Sequence, residues 1–137
     1  MFLLDTNVVS ELRRRKRAEP RVLAWATSVE PTDLFLSAIT LFELQKGALL
    51  LRRRDQKQAA LLDRWIRTYV LQSFARRILP FDESVAMRCA SLHVPNTRPE
   101  RDAMIAATAL VHGLTVATRN VADFVPMGVA LLNPWTH

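Results

Sequence analysis

Cysteine and glycine are both scarce in this 137-residue chain, which has one Cys and three Gly. The lone Cys89 excludes an intrachain disulfide framework and any multi-cysteine zinc site, and an unpaired thiol fits a reducing compartment. So few glycines exclude a collagen or a glycine-rich linker. Long hydrophobic runs are missing too. The opening run Met1–Leu4 stops at Asp5, too short for the h-region of a secretory signal. No stretch reaches the roughly 18 uninterrupted apolar residues of a spanning helix. The expectation is a soluble, cytoplasmic protein. The length fits one domain over residues 1–137, with no repeat, low-complexity segment or linker. Half the residues are apolar and 23% are charged, which excludes a wholly disordered chain.

The charge is one-sided. Lys and Arg number 19 against 13 Asp and Glu, a net charge of +6. Sixteen of the basic residues are arginines, and many cluster: Arg13, Arg14, Arg15, Lys16 and Arg17; Arg52, Arg53 and Arg54; Arg76 and Arg77. Each cluster alone reads as a solvated face. Three in a small domain point to an anionic partner, and arginine suits bidentate phosphate contact.

Short apolar runs alternate with helical segments. Phe2–Leu4, Leu34–Ser37, Ile78–Asp82, Leu114–Thr118 and Val129–Leu132 read as strands. Helices are expected at Val8–Leu12, Arg21–Ser28 after Pro20, from Ala38 to about Leu51, Glu83–His93, and Asp102–His112 with Gly113 as the stop. A further helix carries Leu62, Trp65, Ile66, Tyr69, Val70 and Phe74 on one face, and with the Ala38 helix it makes a helical hairpin. Pro95–Pro99 and Arg119–Asp123 read as loops. No hairpin-turn motif joins the strands, so the fold class is α/β with a mainly parallel sheet.

In such sheets ligands bind beyond the carboxyl ends of the strands. Asp5 directly follows the first strand, and Asp123 lies five residues past Thr118. Glu43 sits among Leu41, Phe42 and Leu44, and Asp102 opens an alanine-rich helix. Each has an ordinary reading. Asp5 can cap a helix, Glu43 can be ion-paired, Asp102 can complement a helix dipole, and Asp123 can make an Asx turn. If the four converge, their repulsion calls for a cation, and oxygen-only ligands suit Mg²⁺ or Mn²⁺. Such a site could activate water against a phosphodiester, with arginines holding the nucleic-acid backbone. Other centres are lacking. His93, His112 and His137 are too scattered for zinc, Cys89 has core neighbours, and no Walker A loop, G-x-G-x-x-G or G-x-S-x-G is present. Trp25, Trp65 and Trp135 read as core aromatics.

Three blocks carry a resemblance: FLLDTNVVSEL (Phe2–Leu12), SAITLFELQKG (Ser37–Gly47) and RDAMIAATALVHGLTVATRNVADF (Arg101–Phe124). In this order they resemble the PIN-domain ribonucleases. Among these, the chain is similar to the VapC toxins of bacterial toxin–antitoxin operons, in the FitB-like or plasmid-stability branch. The resemblance implies a small α/β/α fold and a metal-dependent endoribonuclease using Mg²⁺ or Mn²⁺. It places Asp5, Glu43, Asp102 and Asp123 as metal-binding and catalytic acids. Asn120, of the T-x-N element, would orient an acid or a water. Thr6, Asn7 and Thr118 are the supporting polar residues, and Arg13, Arg14, Arg15, Arg52, Arg53 and Arg119 are candidates for RNA contact.

The resemblance also implies a homodimer, held inactive by a VapB- or FitA-like antitoxin and assembling with it on operator DNA. The exposed apolar parts of the Leu41–Phe74 hairpin are candidates for the antitoxin groove; alternatively, that hairpin only packs on the sheet and the dimer mate. Two other functions remain in view. One is a nucleic-acid- or antitoxin-binding regulator with little catalysis. The other is a phosphotransferase with Asp5 as nucleophile, from whose D-x-D motif Asn7 departs.

Overall fold

The structure, a computed structural model, describes all 137 residues. Five short parallel strands form its centre: β1 (Phe2–Leu4), β2 (Leu34–Ser37), β3 (Ile78–Leu79), β4 (Thr115–Ala117) and β5 (Leu131–Leu132). Their spatial order is β3-β2-β1-β4-β5. All four pairings are parallel, with Phe2 opposite both Leu34 and Thr115. The first strand of the chain is therefore the middle of the sheet. The chain winds outward one way through β2 and β3, then returns to build β4 and β5 on the other side.

Strand side chains alternate between the two faces, and the core divides accordingly. Leu3 and Val116 face one cluster with Val85, Ile105, Ala106 and Phe124. Leu4 and Ala117 face the other, with Val8, Trp25, Leu36, Leu44, Ile66 and Val70. The result is the α/β/α arrangement that the resemblance implied, built on the mainly parallel sheet expected from the alternating runs. Cys89 lies in the first cluster, as its apolar neighbours implied, and burial raises its thiol pKa.

The helices start and stop where local chemistry directs. They are α1 (Thr6–Arg13), α2 (Pro20–Ser28), α3 (Ala38–Leu51), α4 (Gln56–Trp65), the short α5 (Leu71–Ser73), α6 (Glu83–Leu92), α7 (Glu100–His112) and the four-residue α8 (Val121–Phe124). Ser37 caps α3 through the Ile39 N–H at 3.0 Å, and Asp82 caps α6 through the Val85 N–H at 3.1 Å. Gly113 ends α7 in the left-handed region at φ 66°, which glycine adopts without a Cβ penalty. No helix is long and apolar enough to cross a membrane.

Three expectations need correction. Asp123 is not in a loop; it lies on α8. Asp102 does not open its helix, because α7 begins at Glu100 after Pro99 and places Asp102 in its first turn. Within the hairpin, Tyr69 does not share the buried face and is 52% exposed. The cause is a π-helical turn at Ile66–Val70. Its wider turn brings residues four apart into line, so Ile66, Val70 and Phe74 point inward and Tyr69 points out. The hairpin packs on the sheet through these residues and Leu44 and Ala48, while its tip at residues 52–58 stands exposed.

Candidate active site at the carboxyl edge of the sheet

The sheet changes winding direction between β1 and β4, and a ligand site is expected at the carboxyl end of such a switch point. Asp5 and Thr118 immediately follow these two strands. Backbone bonds fix both, from the Asp5 N–H to the Ala117 carbonyl at 2.9 Å and from the Thr118 N–H to the Leu132 carbonyl at 3.0 Å.

Asp5 caps a helix, as foreseen, and also holds a second bond across the sheet edge. As the N-cap of α1, its Oδ1 accepts from the Thr6 N–H at 2.8 Å. Its Oδ2 accepts from the Thr118 hydroxyl at 2.7 Å. The residue is 6% exposed. Burial pushes its carboxyl above the ordinary 3.8, although the bonds from Thr118 and Thr6 and the charge of Arg101 oppose this. Asp102 is also raised above 3.8, chiefly by burial and then by the charges of Asp5 and Asp123; Glu43 adds to the effect and Arg101 opposes it. The four acids therefore share one electrostatic neighbourhood, although they come from four different elements.

Glu43, on α3, is held from two sides. The Thr6 hydroxyl donates to its Oε1 at 2.8 Å, and the Arg101 guanidinium, on α7, contacts its Oε2. The Glu43 side chain is 12% exposed and the Arg101 side chain 66%. Thr6 and Thr40 bring their hydroxyl oxygens to 3.4 Å.

The remaining polar residues gather around Thr118. Its oxygen accepts from the Asn120 backbone N–H at 3.0 Å and from Asn7 Nδ2 at 3.5 Å. Asn7 Oδ1 accepts from the Arg119 N–H at 3.4 Å. Asn120 thus joins this network through its main chain. It is also the N-cap residue of α8, the helix that carries Asp123.

The arginines divide. Arg119 belongs to this edge, with its guanidinium 5.3 Å from the Trp135 ring centroid. Arg13, Arg14 and Arg15 lie at the other end of α1 or just beyond it. Arg13 is eight residues along from Asp5, about 12 Å of helix. Arg13 lies over Trp65 at 5.6 Å, and Arg14 pairs with Glu11 at 3.0 Å. Arg52 and Arg53 are at the hairpin tip. These five are not brought to the acids. Sequence reasoning missed Arg101. Its only signal was a cation directly before the helix acid Asp102, in a chain rich in arginine.

The donor set can be tested against a divalent ion. It is oxygen-only, and Asp102 feels the like charges of Asp5, Asp123 and Glu43, which a cation would relieve. As the side chains stand, no three of them surround a common point closely enough to enclose an ion, and Glu43 Oε2 is engaged by Arg101. In chemistry, though not in its present geometry, this oxygen donor set suits a hard divalent cation.

A separate cavity of about 470 Å³ opens on another face. Leu12 of α1, Leu23 and Ala26 of α2, and Trp65, Tyr69 and Phe74 of the hairpin's second arm line it, together with the cationic Arg15, Lys16 and Arg77. The hairpin does pack on the sheet, one of the two roles open to it, and its second arm also supplies one wall of this cavity; α1 and α2 supply the other.

A parallel sheet that begins at its own centre, with acids at the switch point, defines a class, and comparison with known proteins agrees. The PIN domain family model matches residues 2–124, and the chain belongs to that family. Toxin FitB of Neisseria gonorrhoeae is 44% identical over 140 residues, covering 98% of this chain and 99% of that protein. A VapC ribonuclease of Sinorhizobium fredii is 38% identical over 142 residues, covering 98% of each. Among solved structures, the crystal structure of FitAcB from Neisseria gonorrhoeae contains a chain that superposes with a TM-score of 0.91 at 42% identity, covering all of both chains.

Proposed function

We propose that this chain is the toxin of a toxin–antitoxin pair and a metal-dependent endoribonuclease acting in the cytoplasm. The observation that carries the reading is a buried Asp5 at the switch point of a PIN-family sheet, with Asp102 near enough to feel the charges of Asp5, Asp123 and Glu43. Kinship with proteins named as a toxin and a VapC ribonuclease supports it.

Mg²⁺ or Mn²⁺, held by these four acids directly or through water, would activate a water and neutralise charge on the phosphodiester. The chain's own residues prepare the site. Thr118 fixes the rotamer of Asp5 through its hydroxyl, and Thr6 does the same for Glu43. The Asn7–Thr118–Asn120 network anchors the start of α8 and so places Asp123. Arg119 offers a cation at the edge for an RNA phosphate. Arg13, Arg14, Arg15, Arg52 and Arg53 supply positive surface for flanking RNA, whose affinity then falls with salt.

The purified chain, freed of any partner, should cut RNA with Mg²⁺ or Mn²⁺ and stop with EDTA. Cutting that persists unchanged in EDTA would remove metal from the scheme. RNA binding without any cutting would favour the regulator.

In the same reading, the cavity between α1, α2 and the hairpin holds a segment of the cognate antitoxin. An apolar groove flanked by Arg15, Lys16 and Arg77 suits an amphipathic segment bearing acidic residues. Leu23 is 37% exposed, so Leu23→Glu should leave the fold intact. It is expected to weaken antitoxin binding about tenfold or more, measured by calorimetry. Unchanged affinity would place the partner elsewhere. The exposed Phe42, Leu49 and Leu50 on α3 form the face through which this reading pairs two copies, and the pair with its antitoxin would sit on operator DNA.

A further inference from the structure

We infer that Arg101 is a built-in counter-ion that competes with the divalent cation for Glu43, so that the chain itself tunes how tightly its acidic site takes metal. The inference rests on the reading of the four acids as a metal site. Arg101 and Asp102 are neighbours in the first turn of α7, yet they play opposite parts. Asp102 adds to the negative cluster, while the Arg101 guanidinium reaches Glu43, 58 residues away in sequence.

Glu43 cannot satisfy both partners. Its Oε1 accepts from Thr6, and its Oε2 is the free ligand oxygen that Arg101 occupies.

The latch is light. The Arg101 side chain is 66% exposed, and exposed ion pairs are weak and screened by salt. It therefore lowers metal affinity by a modest factor and does not close the site. A phosphodiester arriving at the same edge offers the guanidinium another anion, which frees Glu43 as substrate binds.

The test is Mn²⁺ binding without RNA, followed by the loss of the free-ion EPR signal, with folding checked by circular dichroism. Arg101→Met is expected to bind Mn²⁺ about two- to fivefold more tightly than the natural chain. Arg101→Lys keeps the charge and should stay near the natural value. With Glu43→Gln already present, Arg101→Met should gain much less, because the contested ligand is gone. Equal or weaker binding by Arg101→Met overturns the latch and leaves the metal site standing. Failure of every form, including the natural chain, to bind Mn²⁺ overturns the latch and the metal-dependent reading together.

Discussion

Asn in place of Asp5 should lower RNA cleavage by about 10²–10³-fold while the folded protein persists. Both halves follow from the two roles of Asp5. Asparagine is as good an N-cap as aspartate, so it can still accept from the Thr6 N–H and α1 keeps its start. What disappears is the negative charge next to Asp102 and Asp123.

Stability should respond with a definite sign. Burial holds the Asp5 carboxyl above 3.8, so in the window just above that value the folded chain binds more protons than the unfolded one. Without metal, the contribution of Asp5 therefore becomes less favourable as pH rises through that window. The Asn variant has no such group. At neutral pH without metal it should melt no lower than the natural chain, and any advantage should shrink as pH falls toward 4. Adding Mn²⁺ should raise the melting temperature of the natural chain more than that of the variant. Thermal melts at several pH values, with and without metal, check this. Full cleavage by a folded Asp5→Asn chain would sink the catalytic scheme.

Phe124→Ala is expected to have the largest effect on stability, about 3–5 kcal/mol. Phe124 is fully buried and packs in the cluster with Leu3, Ile105 and Val116. A domain of this kind is stable by only about 5–15 kcal/mol, so a large share is at stake. The change should also reach the chemistry. Helix α8 has four residues, too few to hold itself, and Phe124 is its fully buried member. Asp123 is the preceding residue. Cleavage per folded molecule should therefore fall as well, whereas Phe124→Leu, which keeps most of the volume, should retain most of both. Chemical denaturation and cleavage assays on the same samples check this. A stability loss below about 1 kcal/mol would mean that α8 is anchored by something else.

Legibility in the sequence tracked how local each cause is. β1, β2, α3 and the Gly113 stop were readable because their causes lie within a few residues: an apolar run, a Ser or Pro start, a left-handed Gly. The placement of Asp123 was misread as loop because a four-residue helix has no periodicity of its own; Phe124 creates it by packing into a distant core. Tyr69 was misread because ordinary helical spacing does not anticipate a π turn. The four acids were noticed through strand ends and an acid in an apolar setting, but their meeting was implied only by family resemblance. Arg101 was hidden among sixteen arginines, since nothing in local spacing reveals a partner 58 residues away.

The order of the strands also bears on how the protein is made. Its earliest strand is the middle of the sheet and cannot acquire its second neighbour until β4 emerges. Asp5 meets the Thr118 hydroxyl only across 113 residues of chain, and α8 and β5 come later still. A nascent chain can cover β1 on the β2 side but presents an incomplete acidic edge until synthesis is nearly finished. Domains fold largely as units during synthesis, and non-local pairing is slow. The acidic edge is thus completed only once β4, α8 and β5 have docked, when nearly all of the chain has been made.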